Sequence, residues 1–203
     1  MAITKTENQN PIVPGHSRLV RLIAIVLLAL IVLVGLTVLI IWLTIKPKKL
    51  VYYIDDASIN NYNLTHHNHL NATYSFILRA HNPNKKVSVY YDKVDLSVLY
   101  DDEAVSRGTI DPFYQPKRNT TIFKLNNLAS CDVALPEQTA RDIKAERSSG
   151  RIEMIVKLRA RIRFKVGVWK SRHYRLKVTC EPVLVHFSTS SKGFQSTKCD
   201  VDI

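Results

Sequence analysis

The pattern of hydrophobic positions changes once along the chain, near residue 45. Residues 22–45 are 24 consecutive residues without a charged side chain, nearly all of them isoleucine, leucine, valine or alanine. A helix of this length, at about 1.5 Å per residue, more than spans a hydrocarbon core of about 30 Å. We therefore predict a transmembrane helix over residues 19–45. The first 18 residues are mostly polar, with two prolines and a glycine, and predict a disordered tail.

The flanks of this apolar run distinguish an anchor from a cleaved signal peptide. A signal peptide has an apolar region of about 7–15 residues followed by small residues at the cleavage site. Here Trp42 and then the sequence Lys46-Pro47-Lys48-Lys49 follow the run instead. We expect an uncleaved anchor with Trp42 at one membrane interface.

After the apolar run, hydrophobic and polar residues alternate with a period of two, which is typical of half-buried β-strands. The clearest case is residues 151–166, where every second position from Ile152 to Val166 is apolar and most of the others are charged. Sixteen residues are long for one strand, so we expect a bend or bulge within it.

Residues 74–80, 94–100 and 174–178 alternate in the same way. Residues 87–91 alternate in the opposite phase to residues 94–100, and a bulge near Asp92 would reconcile the two. These segments predict about seven antiparallel strands.

Only residues 136–147 predict a helix in this region. Pro136 suits a first turn, Glu137 lies where the helix dipole favours negative charge, and Gly150 follows the end. A mainly β fold follows for residues 46–203, namely an antiparallel β-sandwich with one short helix.

The charge of the chain lies almost entirely in this second region. The net charge is +12, to which the first 45 residues contribute +2, so +10 belongs to the β-rich domain. A basic surface suits nucleic acid, anionic lipid or an acidic polysaccharide, and charge alone does not choose among them. The cellular compartment must decide.

The orientation of the span depends on glycosylation signals. Arg18 and Arg21 precede the span and three lysines follow it, so the positive-inside rule does not decide. Three N-glycosylation sequons, at Asn63, Asn71 and Asn119, all follow the span. They favour a cytoplasmic N-terminus and an extracytoplasmic domain over residues 46–203. The alternative is a domain that faces the cytosol.

The three cysteines, Cys131, Cys180 and Cys199, match no common zinc or redox spacing. In an oxidising compartment a bridge between Cys180 and Cys199 would tie the last strand to the strand before it, and Cys131 would remain as a free or intermolecular thiol. In the cytosol all three would be reduced.

Asn82-Pro83-Asn84-Lys85-Lys86 separates two alternating runs and predicts a strand end followed by a turn. It stands in a specific order: a span, residues 74–81, this motif, Val89-Tyr90-Tyr91-Asp92, the basic run of residues 159–167, and two late cysteines. In this order the chain resembles the plant harpin-induced and non-race-specific disease-resistance-like family, whose outer region is similar to the late-embryogenesis-abundant group 2 domain.

The resemblance implies a fibronectin III-like β-sandwich, anchoring mainly at the plasma membrane, and a role in pathogen defence, senescence or water stress. Enzymatic activity and cofactors are not known in that family. Some members carry an Asn-Gly-Asp or similar adhesion tripeptide, which this sequence lacks. We therefore do not expect integrin-like adhesion.

The strand at residues 151–166 carries the sharpest candidate site. Alternation places one row of cations on its outer face, spaced about 6–7 Å apart, which suits a polyanion or anionic headgroups. Outside the cell that polyanion would be an acidic cell-wall polysaccharide. The alternative is a solvated face whose charges prevent aggregation. The row consists of Lys157, Arg159, Arg161, Arg163 and Lys165, and the next strand can extend it with Lys170, Arg172, Arg175 and Lys177.

The remaining candidates are weaker. His66, His67 and His69 could hold a metal, but a polar segment between two sequons is better explained as a solvated loop. Paired carboxylates occur at residues 55–56, 92 and 95, and 101–103, where turns and edge strands commonly carry them. Motifs for acyl transfer, zinc proteolysis and phosphate binding are absent. We expect no enzyme, no cofactor and no nucleic-acid partner.

The sequence thus predicts a single-pass plasma-membrane protein that acts in defence or stress responses by binding a polysaccharide or a protein. The alternatives are an intracellular-membrane protein whose cytosolic domain binds anionic lipid or a protein, and a structural tether between membrane and cell wall. Homo- or hetero-oligomerisation stays open.

Overall fold

The computed structural model describes residues 15–45, 48–187 and 194–203. The chain divides into two compact units, Met1–Lys46 and Pro47–Ile203. The first unit contains α1 (Gly15–Ile45), in which Arg18–Ile40 is long and apolar enough to cross a membrane. Its side chains at residues 18–40 are all exposed within this unit, as expected of a helix that is apolar on every side. The helix begins at Gly15 and so includes residues 15–18, which the sequence pattern assigns to the tail; residues 1–14 lie outside the described residues.

The second unit is mainly β, as predicted. Among its described residues, seven strands contain eight or more residues and four are short. In chain order the elements are β1 (Val51–Leu64), β2 (His69–His81), β3 (Val87–Tyr100), β4 (Glu103–Ile110), β5 (Phe113–Gln115), β6 (Thr120–Ala134), α2 (Glu137–Ser148), β7 (Arg151–Val166), β8 (Trp169–Lys170), β9 (Tyr174–His186), β10 (Thr197–Lys198) and β11 (Asp200–Asp202).

The long strands form one continuous sheet in the order β4-β3-β7-β9-β1-β2-β6. Its two edge strands approach each other, since Ser106 Oγ on β4 donates a hydrogen bond of 2.9 Å to the carbonyl of Ala129 on β6. Gly108 on β4 also lies directly against the side chain of Leu128, where a Cβ atom would clash. The two layers of the predicted sandwich are therefore the halves of one nearly barrel-like sheet.

The sheet has one weak join, between β9 and β1. These strands meet in parallel at a single residue pair, Ser58 and His186, whereas the other neighbours in the order are antiparallel. The C-terminal segment fills this join, because β10 pairs with β1 and β11 pairs with β9. Cys199 lies between β10 and β11 and forms a disulfide with Cys180 on β9. Its backbone N–H donates to the carbonyl of Tyr52 on β1 at 3.0 Å.

The bulge expected near Asp92 is present. The pairing of β3 with β7 shifts register between Tyr91 and Lys93, so Asp92 is the bulge that reconciles the two phases. The pairing of β7 with β9 shifts between Met154 and Val156, but two steps on β7 match three on β9, from Cys180 to Val183, so the extra residue lies on β9 and not within the long strand β7. The predicted helix is α2, with Pro136 as its N-cap residue.

The inner face of the curled sheet holds the core, and α2 contributes Ala140 and Ile143 to it. Two tyrosines place hydroxyl groups inside this core: Tyr52 Oη and Tyr91 Oη lie 2.6 Å apart, and Tyr91 also donates to Gln115 at 3.2 Å. Burial raises the pKa of both tyrosines, so the pair stays protonated and neutral at physiological pH.

Replacing Cys199 with serine should destabilise the domain by about 3 kcal/mol, the chain-entropy value for a loop of this length. The free energy of unfolding, measured by urea titration of the full chain in detergent, tests this. Cys131→Ser is the matched control, because Cys131 is exposed and unpaired. Equal stabilities of the two variants would contradict a bridging role for the C-terminal segment.

Candidate functional site

The Asn-Pro-Asn motif forms a buried clamp, and its side chains are not displayed on the surface. Asn82 and Asn84 are 0% and 4% exposed. The side-chain amide of Asn82 donates to the carbonyls of Val87 and Pro116 at 2.9 and 3.0 Å. Asn84 exchanges two hydrogen bonds with the backbone of Lys48, at 2.7 and 2.9 Å. We call Asn82 and Asn84 the asparagine clamp.

The asparagine clamp connects several chain segments at one end of the domain. Backbone hydrogen bonds from Asn82 N to the Asn119 carbonyl and from Arg118 N to the Asn84 carbonyl add the loop before β6. Pairing of Val87 with Val166 brings the β7–β8 hairpin to the same end. We call this surface, formed by residues 48–50, 82–86, 116–119 and 167–172, the Lys48 end.

The outer face of the sheet brings three cations into one row across three adjacent strands. Arg161 on β7 lies directly opposite Lys93 on β3 and directly opposite Arg175 on β9. All three side chains are exposed. Directly opposed positions lie about 4.5–5.5 Å apart, and like charges there repel each other.

A second row of side chains on the same face lies two residues further along each strand. Arg159 is opposite Asp95 on one side and Lys177 on the other, and Lys93 Nζ lies 3.0 Å from the Asp95 carboxylate. The two rows line a shallow depression of about 550 Å³. We call the five cations of these rows the basic face: Lys93, Arg159, Arg161, Arg175 and Lys177.

The other three predicted cations of β7 have intramolecular contacts. Arg163 forms a two-pronged ion pair with Asp92, with Nε 2.8 Å from Oδ2, and His173 Nε2 is 3.4 Å from the same oxygen. The Arg163 guanidinium therefore holds the pKa of Asp92 below its usual value. Lys157 Nζ lies 3.8 Å from the carboxylate of Asp102.

Lysines at the end of β7 and β8 rest on aromatic rings. Lys165 Nζ lies 5.9 Å from the ring centroids of both Tyr90 and Tyr114, and Lys170 Nζ lies 4.8 Å from that of Tyr90. The two rings are themselves 4.6 Å apart. Arg172 similarly lies 5.9 Å from the Tyr174 ring. These contacts are typical of cation–π pairs.

The predicted row is thus only partly open to a ligand. Arg159 and Arg161 stay exposed, and β9 adds Arg175 and Lys177, as the sequence pattern allowed. Lys93 was missed. The bulge predicted at Asp92 could have identified it, because the extra residue places Lys93 on the outer face, opposite Arg161.

The histidine segment shows no converging metal ligands. His66 and His67 are exposed, and His69 Nδ1 lies 2.9 Å from a carboxylate oxygen of Asp132. Within residues 15–45, 48–187 and 194–203, no three histidine, cysteine, aspartate or glutamate side chains are placed to hold a metal ion.

The three sequon asparagines differ in exposure. Asn63 and Asn71 are opposite each other on β1 and β2. Asn63 is exposed, whereas half-buried Asn71 accepts a hydrogen bond of 2.8 Å from the Asp132 backbone. Asn119 is also half-buried, and its side-chain oxygen lies 3.3 Å from Thr121 Oγ1. Asn63 is the most accessible of the three.

The chain is similar to known plant proteins over most of its length. A family profile described as late embryogenesis abundant protein matches residues 78–180. An uncharacterised Arabidopsis thaliana protein is 39% identical over 88% of this chain and 80% of its own length. NDR1/HIN1-like protein 10 from Arabidopsis thaliana is 33% identical, covering 93% of this chain and 88% of the relative. NDR1/HIN1-like protein 3 from the same plant is 32% identical, covering 87% and 78%.

Among solved structures, a crystal structure of a protein from Archaeoglobus fulgidus aligns with 61% of this chain and 93% of that protein, at 10% identity and a TM-score of 0.29.

Replacing Asn82 with alanine should destabilise the domain by about 2 kcal/mol, because the buried carbonyl of Val87 and the partly buried carbonyl of Pro116 lose their donor. Asn126→Ala is the matched control, since Asn126 is exposed on β6 and its change should stay within about 0.5 kcal/mol. Urea unfolding followed by circular dichroism measures both. A near-neutral Asn82→Ala variant would show that the asparagine clamp does not hold this end together.

Proposed function

Because the chain belongs to the late embryogenesis abundant group 2 family and to its NDR1/HIN1-like proteins, we propose that it is a membrane-anchored, non-catalytic protein of plant defence. In this proposal α1 anchors the chain in the plasma membrane, with the N-terminus in the cytoplasm. The β domain lies outside the cell, where its basic face binds an acidic polysaccharide.

Two features of the β domain support its placement outside the cell. A disulfide between Cys180 and Cys199 persists in an oxidising compartment and is rare in the cytosol. All three sequons belong to the domain, and Asn63 is freely accessible. The competing function is a cytosolic domain that binds anionic lipid or a protein at an intracellular membrane. That arrangement would leave the disulfide reduced and the sequons unused.

The observation that carries the binding proposal is the row Lys93, Arg161 and Arg175. Three like charges opposite one another on adjacent strands lower the stability of the free domain. Asp95 pairs with Lys93 at 3.0 Å, as Asp92 pairs with Arg163, but among the described residues no carboxylate forms an ion pair with Arg161 or Arg175. A ligand with repeated negative charges would remove the repulsion in the row. Ligand binding therefore explains why the cations lie opposite one another, whereas a role in solubility alone does not require that arrangement.

The spacing of the basic face suits a linear acidic polysaccharide. Successive outward residues on one strand are about 6.6 Å apart, and neighbouring strands are about 4.8 Å apart. Arginine guanidinium groups bind carboxylates through two parallel hydrogen bonds, so Arg159 and Arg161 can each hold one uronic-acid carboxylate. A protein that is anchored by α1 and holds such a polymer would also connect membrane and cell wall, in defence as in senescence or water stress.

Expression of the full chain in a plant cell should give a protein whose gel mobility increases after removal of N-linked glycans. Asn63→Gln should remove most of that shift, because Asn63 is the exposed sequon asparagine. Asn71→Gln and Asn119→Gln are the matched controls. A protein with no shift in any form, and whose domain is digested by protease added to the cytosolic side, would contradict the extracellular placement.

Replacing Arg161 with glutamate should weaken retention of the full chain on immobilised polygalacturonate, so that it elutes at a lower salt concentration. The same change should leave stability equal or higher by a few tenths of a kcal/mol, since it places a carboxylate between Lys93 and Arg175. Lys144→Glu on α2 alters net charge equally and is exposed away from the basic face. Equal elution of the two variants would rule out the basic face as the binding site.

Asp92→Asn provides a gain-of-binding test of the same face. It should free Arg163 from its ion pair and raise the salt concentration needed for elution. Asp111→Asn, at an exposed position, adds the same charge as a control. If both variants gain equally, retention reports net charge and not a site.

A further inference from the structure

The β7–β8 hairpin presents two apolar side chains to solvent. Val168 is 100% exposed and Trp169 is 63% exposed. The hairpin is held firmly, because Ser171 N donates to the Phe164 carbonyl at 2.8 Å and Phe164 N donates to Ser171 Oγ at 2.9 Å. Gly167 supplies the left-handed turn with φ +59°. Val168 and Trp169 are adjacent at the tip of the hairpin and form one small exposed apolar patch, which can serve as a contact site for a membrane or a partner.

The four segments of the Lys48 end are cationic, and the acidic residues nearest to them in the C-terminal segment are Asp200 and Asp202, which flank the Val201 carbonyl that Lys49 Nζ contacts at 3.4 Å. The segments of the Lys48 end carry eight exposed lysines and arginines and no aspartate or glutamate. They come from four separate parts of the chain, which the asparagine clamp and the strand pairing bring together. The cations are Lys48, Lys49, Lys85, Lys86, Lys117, Arg118, Lys170 and Arg172.

Chain connectivity limits how far this end can be from α1. Only Lys46 and Pro47 separate Ile45, the last residue of α1, from Lys48. Three Cα–Cα steps of about 3.8 Å each keep the Cα atoms of Ile45 and Lys48 within about 11 Å, whatever the arrangement of the two units. When α1 spans a bilayer, Lys48 therefore stays within about 11 Å of the last residue of the helix.

We propose that the Lys48 end docks on the surface of the bilayer that α1 crosses, with Val168 and Trp169 inserted among the headgroups and the surrounding cations bound to anionic lipid. Tryptophan favours the membrane–water interface, and clustered lysines and arginines add attraction to an anionic leaflet. The inference depends on α1 as the anchor and not on polysaccharide binding by the basic face.

Docking would fix the orientation of the domain on the membrane. The rows of the basic face run across the strands, and the strands run away from the Lys48 end. A docked domain would therefore hold the basic face sideways, clear of the bilayer, and leave it open to a ligand while the hairpin is occupied. The two surfaces would act independently.

The test uses the full chain with Trp42→Phe, so that Trp169 is its only tryptophan. It is reconstituted into vesicles of phosphatidylcholine, with or without phosphatidylglycerol and with or without nitroxide-labelled lipid. We expect a blue-shifted Trp169 emission, protection from acrylamide and quenching by the labelled lipid, each stronger with phosphatidylglycerol. Emission and acrylamide quenching that match those of the protein in detergent, with no lipid quenching, would overturn the proposal.

Two sets of variants separate docking from misfolding and from the proposed function. Val168→Asp, at a fully exposed position, and Lys85→Glu with Lys86→Glu should each abolish the lipid quenching without altering circular dichroism or retention on polygalacturonate. Arg161→Glu should do the reverse, keeping the quenching and losing the retention. Quenching that survives both Lys48-end variants, or that soluble polygalacturonate abolishes, would overturn lipid docking.

Discussion

The architecture depends on closing the join between β9 and β1. Along the rest of the sheet, long antiparallel ladders connect each strand to the next, but these two strands share a single residue pair. The C-terminal segment lies in this join and completes it, with β10 paired to β1, β11 paired to β9, and the Cys180–Cys199 disulfide holding the segment to β9. The two halves of the sheet face the same core, so a loose join would expose that core to water.

The closed sheet separates stability from binding. Its inner face buries apolar residues of the long strands other than β6, whose apolar residues are partly buried against them, and supplies the hydrophobic stabilisation of the domain. That stabilisation allows the outer face to carry the directly opposed cations Arg161 and Arg175. The same curvature leaves two surfaces with different chemistry: a flat cationic face suited to carboxylates, and the Lys48 end, whose hairpin is apolar at the tip and cationic around it.

The residues that carry the family resemblance mainly stabilise the fold. The matched region, residues 78–180, begins in β2, includes the asparagine clamp and ends at the disulfide cysteine of β9. Asn82 and Asn84 are buried and satisfy backbone groups from three separate segments. Membership of the family therefore identifies the β fold, while the two binding surfaces proposed above consist of exposed side chains such as Arg161 and Trp169 that take no part in the clamp.

The sequence by itself determined the features that are local. The uncharged run of residues 22–45 gave the candidate span, the period-two pattern gave the long strands and the bulge at Asp92, and Pro136 and Gly150 bounded α2. Each of these depends on neighbouring residues, which is why the sequence is sufficient.

The tertiary structure decided which residues on different strands meet. The pairing of β3, β7 and β9 placed Lys93 and Arg175 beside Arg161. It also formed the ion pair between Arg163 and Asp92 and the contact of Lys165 with the Tyr90 ring. The register of β3 with β7 alone pairs residues up to 79 positions apart, as in Val87 with Val166. Alternation says which face a side chain occupies but not which strand lies next to it, because that choice is made by packing of the shared core.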